Sequence, residues 1–148
     1  MPSPDQAVEI FRTSFNCAQS VLGAFAGRFS LDPGTAARIS TGFGGGMGRR
    51  QEVCGAVTGA VMVLGLAFGR APDEDKNRQE TTYAKTREFF AEFEKRHAAV
   101  NCRALLDGCE LLTPRGQDRF KSEKMIDRCQ DFVRSAAEIL DLMLQEAP

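Results

Sequence analysis

The side chains with the greatest chemical capacity in this sequence are its cysteines, Cys17, Cys54, Cys102, Cys109 and Cys129. A thiolate is both a nucleophile and a soft metal ligand, so such a set admits disulfide exchange, zinc or copper(I) binding, or an iron–sulfur cluster. Spacing does not choose among these. No Cys-x-x-Cys occurs, which removes a thioredoxin-type motif, a zinc ribbon and the ferredoxin run. Cys54 has the strongest individual case. It falls in the first turn of an uncharged segment expected to be helical from about Gln51 to Gly69, where free N–H groups and the helix dipole favour a thiolate. Arg49 and Arg50 would add positive charge, and Gly55 and Ala56 leave room for a second thiol or a ligand. The same small neighbours equally suit a cysteine that only starts a tightly packed buried helix.

Cys17, Cys102 and Cys129 each fall on the apolar face of an expected helix, where a single free cysteine behaves as a small hydrophobe. Taken with Cys54, four helices each aim one cysteine inward, and in a bundle such positions can converge. Convergence would permit a dithiol pair, which needs no cofactor, or a site in which Cys17, Cys54, Cys102 and Cys129 hold a metal. Cys109 follows Cys102 by one heptad; on a continuous helix their Cα atoms would lie ~10 Å apart, too far for a bridge unless Gly108 bends the chain.

The run Gly42-Phe43-Gly44-Gly45-Gly46-Met47-Gly48 is too rich in glycine for a regular helix. It has no in-register Gly-x-Gly-x-x-Gly, no Gly-Lys-Ser/Thr ending and no preceding strand, so it does not read as a nucleotide loop. Its amides at Gly44, Gly45 and Gly46 could form an anion-binding concavity helped by Arg49. His97 is expected to stabilise a helix C-terminus as a cation rather than to ligate metal, and no Gly-x-Ser-x-Gly supports serine catalysis.

The elements that must position these residues are helical. Three-four apolar spacing predicts a helix over about Pro4 to Phe25, and Asp32-Pro33 caps a short one through Ile39. The uncharged helix from Gln51 to Gly69 follows the glycine run. A charged helix is expected from Asn77 to His97 with Tyr83, Phe90 and Phe93 inward, and Asn101 can cap a short helix ending near Gly108. Leu111 to Asp118 reads as an irregular link, and an amphipathic helix from about Arg119 to Gln145 turns Phe120, Ile126, Cys129, Val133, Ala136, Leu140 and Met143 inward. No stretch alternates with period two. The expected fold is an all-α, single-domain helical bundle over residues 1–148, with about five main helices around a buried uncharged central helix.

Composition narrows the function classes. The 148 residues carry 19 basic and 20 acidic side chains, a net charge of -1, which offers no footprint for nucleic acid or an anionic membrane. Val53 to Phe68 is at or below the ~17 to 25 residues of a membrane span, and its Gly-x-x-x-Gly spacings suit a soluble helix packed closely on its neighbours. The start shows no signal or transit pattern, so a cytoplasmic location with reduced thiols is expected.

Cys54-Gly55-Ala56-Val57-Thr58-Gly59 fits a Cys-Gly-Ala-x-x-Gly signature. Together with Asn16-Cys17-Ala18-Gln19-Ser20, Asn101-Cys102-Arg103-Ala104-Leu105-Leu106, Cys129 and the glycine run ahead of the signature, it makes the chain resemble the C_GCAxxG_C_C family from about Cys17 to Leu140. That family is described as redox-active by inference from its four cysteines and from neighbouring genes. The resemblance implies that Cys17, Cys54, Cys102 and Cys129 form a shared thiol site and that Cys109 is an extra cysteine. The leading expectation is a thiol oxidoreductase in which the Cys54 thiolate exchanges with a disulfide, Cys17 or Cys102 being its first partner candidates and the glycine loop controlling access. Its partner would be another redox protein or a small thiol or disulfide. The rivals are a zinc, copper or iron–sulfur protein without turnover and a helical adaptor with structural cysteines. A second copy of the chain could cover part of the uncharged helix.

Overall fold

The computed structural model describes residues 1–145. Its helices are α1 (Ser3–Arg12), α2 (Cys17–Ala26), α3 (Pro33–Ser40), α4 (Gly44–Met47), α5 (Gly55–Phe68), α6 (Asn77–His97), α7 (Cys102–Leu105), α8 (Pro114–Ser122) and α9 (Ile126–Leu144). The class is all-α as expected, but more helices build it than the five anticipated. Among the described residues the only β pairing is an isolated antiparallel bridge, Val53 to Asn101. No helix among them is long and apolar enough to cross a membrane.

The extra helices arise where local capping overrides a continuous apolar period. The helix expected over Pro4 to Phe25 is two, because Ser14 takes a left-handed φ of 77° and Asn16 opens α2 with a reciprocal capping box. Its side chain accepts from the Gln19 N–H at 2.9 Å, while Gln19 Oε1 accepts from the Asn16 N–H at 3.0 Å. Likewise Thr113 accepts from the Gly116 N–H at 2.9 Å and starts α8 inside the stretch expected to be irregular. The last helix therefore begins at Ile126 instead of Arg119, after a turn in which Lys124 has φ 52°. The Asp32 cap of α3 and the span of α6 match expectation. On α6 the inward aromatics are Phe89 and Phe93; Tyr83, expected inside, is half exposed because it lies off that stripe.

The uncharged helix is the centre of the core. Ala56, Val57, Ala60, Val63 and Leu64 are fully buried and α5 packs against α2, α6 and α9, while Val61 and Met62 are half-buried and Leu66 is exposed. Helix α1 closes the other side by lying on α2 and α9. Two glycines of the signature set the α2–α5 approach. A Cβ on Gly59 would lie 2.8 Å from the Ala18 carbonyl oxygen, and one on Gly55 3.0 Å from the Ala18 amide nitrogen. Backbone meets backbone there, as small-residue spacing permits. A Cβ on Gly65, in the second such spacing, would meet no atom within 4 Å, so no comparable helix approach depends on it.

Candidate functional site

Helix starts, more than helix faces, carry the cysteines. Cys17 is the first residue of α2, Cys54 is the N-cap of α5, Cys102 opens α7, and Cys129 lies in the first turn of α9. Residues 51–54 are not helical: Gln51 is left-handed and Val53 makes an isolated bridge with Asn101, so Cys54 precedes α5 instead of lying within its first turn. Three backbone hydrogen bonds hold this piece beside the start of α7: the Cys54 N–H donates to Val100 O at 2.8 Å, the Cys102 N–H to Glu52 O at 2.7 Å and the Arg103 N–H to Gln51 O at 3.3 Å. Gly55 brings in the third cysteine, because its missing Cβ would sit 3.2 Å from Cys17 Cβ. Gly46, left-handed at φ 66°, lies against the fourth side, where a Cβ would be 2.8 Å from Cys102 Cβ and 2.7 Å from Gln51 Cα. A side chain at Gly46 would thus separate the glycine turn from Cys102.

The four cysteines of the set, Cys17, Cys54, Cys102 and Cys129, line one cavity of about 350 Å³. Its other walls include Phe11, Phe15, Leu105, Leu106, Leu111, Phe120 and Phe132, with Gly45, Gly46 and Arg49 from the glycine turn. Cys109 is not among them. It is buried elsewhere, and its S–H donates to Gly116 O at 3.2 Å, which ties the chain after α7 to α8. All five cysteines are free thiols. Among the described residues no three His, Cys, Asp or Glu side chains are grouped so as to hold a metal ion.

Electrostatics divides the thiols. Hydrogen bonds with Cys129 and then Cys54, reinforced by burial, hold the Cys17 thiol well above the ordinary thiol range. Cys54 moves the other way. A hydrogen bond from Cys17 favours its thiolate most, and the Ala56 and Val57 amides at the start of α5 add to this against the opposing effect of burial. Burial pushes Cys102 up to about 12. The cavity therefore contains one thiol disposed to ionise, Cys54, beside two disposed to keep their protons, Cys17 and Cys102.

The arginines contribute less to Cys54 than expected. Arg50 points into solvent and pairs with Glu52 at 3.3 Å, and the agents that lower Cys54 are a thiol and two amides. Arg49 instead stands on the cavity wall. Within the glycine turn the Gly44 amide donates to Thr41 O, while the Gly44, Gly45 and Gly46 carbonyls accept from Arg49, Gln51 and Glu52. His97 also differs from expectation: it is sandwiched by Phe93 and Phe132, with Nε2 2.9 Å from Ser135 Oγ, and burial lowers its pKa, so it favours the neutral ring.

One positioning residue gave no sequence signal beyond its polarity. Gln51 is buried, with φ 60°, and its side chain donates from Nε2 to Cys109 O at 2.6 Å and accepts from the Leu111 N–H at 2.9 Å. It joins the glycine turn to the segment after α7. The aromatic and aliphatic cavity wall has no sequence signal either, since its residues come from helices and loops far apart in the chain.

Four thiols from separate helix starts around one apolar cavity define an all-helical protein with a shared cysteine site. The chain belongs to the C_GCAxxG_C_C family: the model of the family described as "Putative redox-active protein (C_GCAxxG_C_C)" matches residues 15–143. No curated protein and no solved structure matched the chain.

Proposed function

We propose that this chain acts as a single-domain thiol-redox protein of a reducing compartment such as the cytoplasm, with Cys54 as the attacking thiolate and Cys17 as its partner. The observation that carries this reading is geometric: Cys17 and Cys54 line one cavity, and Gly55, next to Cys54, lets α2 come so close that a Cβ there would lie 3.2 Å from Cys17 Cβ. The electrostatics of the two thiols agrees with it, Cys54 being lowered with Cys17 as the first cause and Cys17 raised. A nucleophile and a protonated thiol held together are the two components that disulfide exchange requires.

The sequence of events follows from that asymmetry. The Cys54 sulfur attacks a substrate disulfide, forming a mixed disulfide and releasing one substrate thiolate. Cys54 is then neutral, so two causes that raised Cys17, the hydrogen bond to and the charge of Cys54, are gone. Cys17 can now give its proton to the departing thiolate and attack Cys54 Sγ. The second substrate sulfur leaves as a thiolate, which takes its proton from water, and a Cys17–Cys54 disulfide remains. Cys129 lines the same cavity as this pair and is placed to exchange onward, whereas burial, pushing Cys102 up to about 12, keeps its proton on at neutral pH.

Differential alkylation with mass spectrometry tests this. Mild oxidation should protect Cys17 and Cys54 together as one bridge, and Cys54→Ala should abolish it. Equal labelling of all five thiols after oxidation would refute the dithiol reading. A stoichiometric metal in anaerobically prepared protein, lost with Cys54→Ala, would replace it with a thiolate metal site.

A further inference from the structure

The walls of the cavity select a substrate. Phe11, Leu105, Leu106, Leu111, Phe120 and Phe132 make it mostly apolar, and its volume of about 350 Å³ lies at the small end of small-molecule sites, about 300–1,000 Å³. Cys54 is only 5 % exposed, so the space in front of it must accommodate whatever reacts with it. A disulfide within a folded polypeptide would bring its flanking amides against these walls without partners, at a cost of a few kcal/mol each.

Charge supplies the second selection. Arg49 is the single charged side chain on the lining, and among the described residues it has no ion-pair partner, whereas Arg50 pairs with Glu52 and Arg103 with Glu110. Its placement is built: Arg49 has φ 66°, its N–H donates to Gly44 O, and its stem lies where a Cβ on Gly45 would be 3.0 Å from Arg49 Cγ. A glycine at 45 therefore seats the arginine at the cavity.

We infer that the cavity binds a small organic disulfide with an apolar, aromatic-sized body and an anionic group that pairs with Arg49. This rests on the thiol-exchange reading above and names its substrate class. The reaction balances as follows: the Cys54 thiolate and the Cys17 thiol supply two electrons and one proton, water supplies the second proton, R–S–S–R becomes two R–SH, and the protein ends with a Cys17–Cys54 disulfide. Return to the dithiol needs a second, dithiol-class reductant.

Pre-reduced protein, freed of reductant, is mixed with dithiobis(nitrobenzoate), whose aromatic halves each carry a carboxylate, or with dithiodipyridine, whose halves are neutral. The second-order rate of aromatic thiol release is read for the wild type, Arg49→Gln and Arg49→Lys, and mass spectrometry locates the adduct or bridge. Comparing each reagent with itself across variants removes differences in leaving group. Arg49→Gln should slow the carboxylate reagent about fivefold, the upper range for a solvent-exposed pair, and dithiodipyridine by less than about twofold. Arg49→Lys should restore most of the rate, and salt should shrink the difference. Naphthoate, an unreactive apolar anion, should protect Cys54 saturably and less well in Arg49→Gln. Equal rates in all variants, equal slowing of both reagents, or no protection by naphthoate would overturn the substrate class while leaving Cys54 reactive. Failure of Cys54 to react with either reagent would overturn the exchange reading as well.

Discussion

Replacing Gly59 by alanine should destabilise the protein and disturb Cys54, while the same change at Gly65, on the same helix, should do the reverse. Both substitutions gain helix propensity, about 0.8–1.0 kcal/mol at an interior glycine. At Gly65 nothing opposes that gain, because an added Cβ meets no atom within 4 Å. At Gly59 the Cβ would lie 2.8 Å from Ala18 O and 3.1 Å from Ala18 Cα, short of the 3.4 Å at which ordinary contact begins. Those atoms are backbone and cannot rotate away, so α2 and α5 must separate by several tenths of an ångström. Overpacking of a tight interface costs about 1–3 kcal/mol, which with the propensity gain leaves Gly59→Ala about 1 kcal/mol less stable. For a chain of this size that is a fall of about 2–4 °C in Tm, against a rise of similar size for Gly65→Ala. Thermal unfolding by circular dichroism reads both. The separation also begins one residue from Cys17, so Gly59→Ala should weaken the Cys17–Cys54 hydrogen bond and slow alkylation of Cys54 at neutral pH; Gly65→Ala should not. If Gly59→Ala stabilises as much as Gly65→Ala, the close backbone approach that underlies the cysteine site is wrong.

Cys17→Ala removes the donor that most favours the Cys54 thiolate, so the pH midpoint for iodoacetamide alkylation of Cys54 should rise; an unchanged midpoint would show that the α5 amides act alone. Cys109→Ala should lower stability by about 1 kcal/mol through loss of the bond to Gly116 O, with Cys54 kinetics unaffected, as measured by urea unfolding and thiol release. Burial lowers the pKa of His97 from 6.5, so the unfolded chain binds more protons below that value. The contribution of His97 to stability should be complete above pH 6.5 and diminish as pH falls toward its folded value. His97→Phe should flatten this dependence in urea midpoints taken at about pH 7.5 and about pH 5.5, and an unaltered slope would contradict the burial argument.

Much of the helical content is legible because its signals are local. Asp32-Pro33 announces α3, the charge pattern marks Asn77–His97, and the absence of charge from Val53 to Phe68 marks a buried helix. Helix boundaries differ from the apolar period where caps lie inside it. Asn16 with Gln19, and Thr113 before Pro114, are readable as starts, yet the periodicity running across them also fits one longer helix. Tyr83 is exposed for a related reason: a one-residue shift of the inward stripe exchanges exposed and buried aromatics on a long helix.

By itself, the sequence determined that the chain is helical, that α5 is central, and that Cys17, Cys54, Cys102 and Cys129 form a set distinct from Cys109. Each of these follows from periodicity, capping or the family signature, all of which are properties of short segments. Only the tertiary structure decided which thiol meets which, why Cys54 rather than Cys102 favours the charged form, and why Arg49 rather than Arg50 stands at the cavity. Those outcomes depend on left-handed residues that redirect the chain and on glycines that let α2 touch α5, so that helix starts distant in sequence share one small apolar space.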